Sequence, residues 1–338
     1  MSLTHQLFLQ TLRELANREQ EKFDAHRMPL IASLLDHAWS AVPAYRARFA
    51  GQVSSNSFDL ARWCELPLLR RDDIAALDDG LEASALPPEA KDVEDLPDQP
   101  LPLRRRSRLA TVAAECEREW FYERNGIDLA APLAVLHPDC PGLTQGRGWS
   151  ITFAHNKWLA GDCNGDARQQ MAWLVESGAR LLRTNTVIGE RLAEAQAQSR
   201  VRPSIEAIII VDAKLTPERR AAIQATMRVP VVHAIEIPDL GMIAARDPGG
   251  GYFVSAATCV VEVVDDDGRA VPNAGVGELV ITPLYEYAAP RLRFATGIRA
   301  IPEPEPGTLI GVRRLAAVGE LNGAQLQSGR PSFHPDHR

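Results

Sequence analysis

The feature that most limits the fold is an alternation of short apolar runs and helical segments between residues 133 and 237. Residues 133–136 have a buried-strand pattern, and residues 205–211 and 229–237 form two further apolar runs. Unbroken apolar runs belong to strands covered on both faces, as in a parallel sheet. Helical patterning covers residues 167–178 and 189–199, and Thr216 followed by Pro217 is an N-cap with proline in the first turn. This order predicts an α/β fold with a doubly wound, mostly parallel sheet. After Gly241 the character changes. Residues 252–255, 259–265 and 277–282 are strand-like and joined by short turns without a helix, which predicts a small β module. The chain thus divides into an α/β body over 1–250, the β module over 251–308 and a glycine-rich segment over 309–338.

Helical periodicity also covers residues 6–20, 28–40 and 108–124, the last with Leu109, Val112, Ala113, Cys116, Trp120 and Phe121 toward one face. Residues 86–103 are proline-rich and acidic, a linker or exposed loop between two subdomains of the body. The 338 residues, 45% hydrophobic and 24% charged, supply enough apolar side chains for a large globular core. A net charge of −7 gives no electrostatic footprint for nucleic acid or an anionic membrane. No apolar run is long enough to span a membrane. Five cysteines without C-x-x-C spacing suggest neither a zinc knuckle nor a disulfide framework. The first residues lack a basic region ahead of an apolar one and read as an amphipathic helix, so a reduced, cytoplasmic setting is expected.

Four segments, taken in order, resemble one family: PLIASLLDHAWSAVPAYRARFA at 29–50, ELPLLRRDDI at 65–74, LTPERRAAI at 215–223 and VEVVDDDGRAVPNAGVGELVITPLYEYAAPRLRFATG at 261–297. They are similar to phenylacetate–CoA ligase-like members of the adenylate-forming superfamily. The resemblance implies the superfamily's large N-terminal domain, with the mobile C-terminal lid missing or vestigial. It also implies ATP with magnesium, a carboxylic acid and coenzyme A or a carrier thiol as reactants. Such chemistry needs a loop of backbone N–H groups around the phosphates, an acid for the metal, an acid for the ribose hydroxyls and a lysine from the lid.

The sequence departs from the family at each of these points. The phosphate loop is replaced by DLPDQPLPLRRRSR, with no glycine between Gly80 and Gly126. Val211, Asp212 and Ala213 stand at the adenine-facing Gly-Gly-Glu position. Residues 235–241 stand at the Tyr-Gly-x-Thr-Glu motif, where Asp239 is the one acid left for a metal. Ile298 replaces the ribose-binding aspartate after Thr296 and Gly297. No lysine follows Lys214, although Arg313 or Arg314 offers charge without the compact donor of an ammonium. The expected reading is a fold kept and its usual reaction lost or replaced.

Three groups of side chains remain as candidates. His137, Asp139 and Cys140, followed by His155, Asp162 and Cys163, surround a polar loop after the 133–136 strand. A cysteine beside an imidazole can attack an acyl group, the same set can hold a metal, or the cysteines are small core residues. Glu236 and Asp239 are a base and a ligand group, or surface acids at a strand end. Tyr285, Tyr287, Arg291 and Arg293 bind a carboxylate or phosphate, or form structural ion pairs. The function expected is that of a repurposed relative of acyl- or aryl-CoA ligases. It would act on or bind a small acyl or aryl carboxylate, or its CoA or carrier-protein thioester, without ATP-dependent adenylation. Two alternatives stay open: a noncatalytic, partner-binding subunit of a biosynthetic assembly, homo- or hetero-oligomeric, and a still-active ATP-dependent acid–thiol ligase.

Overall fold

The computed structural model describes residues 3–16, 18–50, 58–95, 105–138, 144–147, 153, 156–237, 240–272, 275–303 and 310–319. Helices come first: α1 (Leu3–Ala16), α2 (Gln20–Ala41), α3 (Pro43–Arg48) and α4 (Arg71–Leu77). A two-stranded ribbon of β1 (Val93–Asp95) and β2 (Arg105–Ser107) leads into α5 (Arg108–Arg124), which Ser107 caps by accepting from the Ala110 amide. Next come β3 (Leu133–Leu136), β4 (Thr144–Arg147), β5 (Lys157–Ala160), α6 (Ala167–Ser177) and β6 (Leu181–Thr184). Then follow α7 (Thr186–Ala197), β7 (Ala207–Val211), α8 (Pro217–Met227) and β8 (Val231–Ile237). The final part is all strand: β9 (Gly241–Arg246), β10 (Tyr252–Val254), β11 (Cys259–Val264), β12 (Gly277–Pro283), β13 (Phe294–Pro302) and β14 (Arg314–Gly319).

Twelve strands form one mixed sheet in the order β11-β12-β13-β14-β10-β9-β8-β7-β6-β3-β5-β4. The run β5-β3-β6-β7-β8 is parallel, as the apolar runs predict. Side chains alternate across it. Val135, Ile209 and Val232 pack with Trp120 and Phe121 of α5, while Leu136, Leu182 and Ile210 pack with Met171, Leu192 and Ile223 of α6, α7 and α8. Helices therefore cover both faces. α2 buries Ile31, Leu34, Leu35 and Ala38 in one cluster with Val261, Ile281 and Phe294 of the antiparallel strands.

The hairpin turn of the β module has a local cause. Asp265 Oδ1 accepts from the Asp267 and Arg269 amides at 3.0 and 2.8 Å. Gly268 takes φ +77°, a conformation that costs glycine little. The module's strands are hydrogen-bonded into the same sheet as the body, through β14 and β10. β14 lies in the segment that its glycines mark as irregular. Its Leu315 and Val318 are buried, and its Arg314 reaches Glu303 and Asp247. Only six residues long, it carries too few apolar positions to show a period in the sequence.

Candidate functional site

The chain reverses direction across the sheet at β3. From β3 it passes through β4 to β5 on one side, then crosses by α6 to β6 on the other. In open α/β sheets, ligand crevices form outside the carboxyl ends of the strands at such a reversal. His137 is the first residue after β3. It is 8% exposed, and its Nε2 lies 3.4 Å from the Val211 carbonyl at the end of β7. The imidazole thus spans the end of β6, where the Thr184 hydroxyl donates to the Leu136 carbonyl at 2.9 Å.

Beneath the strand ends, on the α5 face, lies a buried charge cluster. Arg183 is in register with Val135 and Ile209, and Glu236 follows Val232 and Ala234 on the same face of β8. Arg118 of α5 donates through Nε to Glu236 Oε1 at 3.2 Å, and Arg183 donates through Nη2 to Oε2 at 3.1 Å. The Tyr122 hydroxyl lies 3.5 Å from the same carboxylate, and Arg118 also pairs with Glu115 one turn earlier. Burial works to raise the Glu236 pKa, but the two guanidinium groups outweigh it and hold the carboxylate below its ordinary range. Burial also works to lower Arg118, and Glu115 and Glu236 outweigh it, leaving that group raised.

On the other face, Asp212 closes the loop after β7. Its carboxylate accepts from the Thr186 amide and hydroxyl, both at 2.6 Å, and from the Lys214 amide at 2.7 Å. His233 lies between the Asp212 carbonyl at 2.7 Å and the Tyr252 hydroxyl at 2.8 Å. Burial lowers its pKa to about 4, so the ring is neutral near pH 7. Gly319 backs onto this loop so closely that a Cβ there would sit 2.7 Å from the Ala213 carbonyl oxygen.

Of the residues singled out from the sequence, His137 follows β3 and Glu236 lies on β8, with β6 and β7 between those two strands. The surface reading of Glu236 is corrected: its side chain is 10% exposed and pairs with two arginines. Arg293 lies elsewhere. It is buried and donates to Glu262 and to the carbonyls of Cys64, Leu66 and Gly268, bracing the β module. Arg291 is also buried, and Tyr285 meets Phe8 of α1 edge-on with ring centroids 4.9 Å apart. Cys163 packs in the α6 core, and Asp162 forms a local turn by accepting from the Asn164 amide. Ile298 continues β13 and packs against the apolar cluster. Asp139, Cys140, His155 and Asp239 lie outside the described residues. Among the described residues, no group of three or more His, Cys, Asp or Glu side chains is placed to hold a metal.

Sequence reasoning missed Arg118, Arg183 and Tyr122. Arg183 gave no signal, because only Leu181 and Leu182 precede it and so short an apolar run does not mark a strand.

No family model matches the chain, and no curated protein matches it. Solved structures do. An open conformation of 2-hydroxyisobutyryl-CoA ligase, in complex with 2-HIB-AMP and CoA, superposes with a TM-score of 0.68 at 16% identity, covering 88% of this chain and 74% of that one. The same ligase in the thioesterification state gives a TM-score of 0.69 at 14% identity, covering 90% of this chain and 69% of that one. In the postadenylation state with 2-HIB-AMP it gives 0.67 at 16% identity, with 87% and 66% covered. The chain has the fold of the adenylate-forming acyl-CoA ligases and spans between 66% and 74% of the length of these structures. The resemblance read from the sequence holds at the level of fold.

Proposed function

We propose that this chain is a repurposed relative of the acyl-CoA ligases. Its crevice at the carboxyl end of β3 binds a small acyl or aryl carboxylate, or its thioester, without ATP-dependent adenylation. The observation that carries this reading is His137 at the topological reversal, above a floor in which Arg118 and Arg183 are matched by Glu115 and Glu236. Such a floor is polar and internally compensated, suited to orienting a small ligand and poor at adding charge for a triphosphate. His137 is assigned to the acyl oxygen.

A bound ATP asks for different groups. At the ribose position Ile298 packs against apolar neighbours, and its side chain accepts no hydrogen bond. Asp212, the acid in the segment at the adenine position, commits its carboxylate to Thr186 and Lys214. The residues at these two positions do not fit the nucleotide, which supports the loss of adenylation. Acyl transfer from a bound thioester is assigned to Cys140. Its thiolate would attack the carbonyl carbon, the carrier C–S bond would break, and the departing thiolate would take back the proton first given to His137.

Isothermal titration with 2-hydroxyisobutyrate, benzoate and their CoA thioesters tests the ligand class. ATP–pyrophosphate exchange tests the chemistry. The expected result is saturable binding of an acid or thioester, weakened tenfold or more by His137→Ala, with exchange at background. Exchange well above background overturns the loss of adenylation, and absence of binding across the panel overturns the ligand class. Unchanged thioester turnover in Cys140→Ala removes the nucleophile.

A further inference from the structure

A pocket lies away from the strand ends, where α1, α2, α5, β10 and the start of β14 meet. Its volume is about 180 Å³, and Trp120, Phe253 and Phe23 form much of its wall. Trp120 and Phe253 meet edge-on with centroids 5.8 Å apart. Arg314 lies 4.3 Å over the Phe253 ring, and Arg313 lies 4.4 Å over Phe23. Both arginines hold the rim. Arg314 pairs with Glu303 and Asp247, and Arg313 donates to the carbonyls of Leu15, Ala16 and Arg18 at the end of α1.

One lining residue does not suit an apolar wall. Glu117 is 2% exposed, and its one hydrogen bond among the described residues comes from the Thr258 hydroxyl to Oε1 at 3.0 Å. No cation pairs with it there, and Oε2 has no partner. A carboxyl group buried this way is costly unless something uses it. Burial raises its pKa to about 8, so the group is mostly the neutral acid near pH 7 and can both donate and accept.

We propose that this pocket binds a small, single-ring aromatic molecule carrying one hydroxyl, with the ring against Trp120 and Phe253 and the hydroxyl on Glu117. Size sets the first limit, because a dry cavity of roughly 150 Å³ is known to hold one benzene ring. The free Glu117 oxygen sets the second, because an apolar ring alone would leave it unsatisfied. This inference does not rest on the proposed function of the β3 crevice, from which it differs in place and in ligand.

The test uses the whole protein and two probes of similar size, 4-fluorophenol and 4-fluorotoluene, followed by fluorine NMR titration. The fluorophenol is expected to bind at least tenfold more tightly than the fluorotoluene. Glu117→Leu is expected to remove that preference while leaving carboxylate binding at the crevice unchanged. Ala257→Leu, which fills the pocket, is expected to abolish binding of both probes with the fold intact, so a failure of Glu117→Leu to fold leaves the proposal testable. Equal affinity for the two probes overturns it, as does absence of binding or retention of the preference in Glu117→Leu. His137→Ala leaves fluorophenol binding unchanged, and weakening there would show that the probe reports the crevice instead.

Discussion

Two buried carboxyl groups, one on α5 and one packed against it, behave in opposite ways. Glu236 meets α5 at Arg118 and Tyr122, and Arg183 reaches it from β6. Glu117, one residue before Arg118, lines the pocket and among the described residues has only the Thr258 hydroxyl. Burial is common to both and works to raise both pKa values. Two guanidinium groups reverse the effect at Glu236, and one hydroxyl does not at Glu117. The difference teaches that partners, more than depth, decide whether a carboxyl under α5 keeps its charge. It also separates the jobs of the two regions. The cluster at the strand ends pairs its carboxylate with two guanidinium groups, and the acid at the pocket accepts one hydroxyl among the described residues.

The comparison is broken most directly at the floor. Arg118→Met removes one of the two guanidinium groups paired with the buried Glu236, and is expected to cost on the order of 3–5 kcal/mol in urea unfolding. A loss below about 1 kcal/mol would mean that the cluster is not compensated as described.

The next effect has the opposite sign. Glu117 ionises near 4.5 in the unfolded chain and near 8 in the folded one. The folded state thus keeps a proton that the unfolded state releases, so this group lowers stability as pH rises from about 4.5 to about 8. Glu117→Leu removes that decline. Relative to the native protein, the variant should gain up to about 1.4 kcal/mol per pH unit between those limits. Unfolding curves across the window check it, and parallel declines in the two proteins would assign the effect to other groups.

The smallest effect sharpens the contrast at Glu117 itself. Thr258→Val removes the only hydroxyl among the described residues that reaches that carboxyl, and should cost about 1 kcal/mol. It should also push the Glu117 titration, followed by carboxyl carbon NMR, higher still. A downward shift would show that the hydroxyl is not what favours the charged form.

Much of the frame was legible because it repeats. The 108–124 helix, the 133–136 strand, the two longer apolar runs and the Thr216–Pro217 cap correspond to α5, β3, β7, β8 and α8. Several other short strands were not legible. β5 begins with a lysine, β6 has an arginine among four residues, and β9 opens directly from a glycine at φ +90°. Each is specified by its neighbours in the sheet more than by its own pattern. At the site, Glu236 stood out as an acid in an apolar run. Its partners could not be found locally, since Arg183 is 53 residues away and Arg118 is 118 away along the chain. Glu117 was hidden within a helix face judged by its apolar members, although it follows Cys116 and falls one turn from Ala113 and Phe121 on that face.

The position of β14 has a consequence for how the chain is made. It is the last described strand in sequence, yet it lies between β13 and β10, so among the described residues the two blocks of the sheet are paired strand to strand only through it. A nascent chain that has not yet supplied residues 314–319 carries β10 and β13 as two unpaired edges of opposite blocks. Such edges invite pairing with other chains. Closure of the sheet is therefore a late event in biosynthesis, and ribosome-bound intermediates that end before Arg314 are where chaperone demand should concentrate.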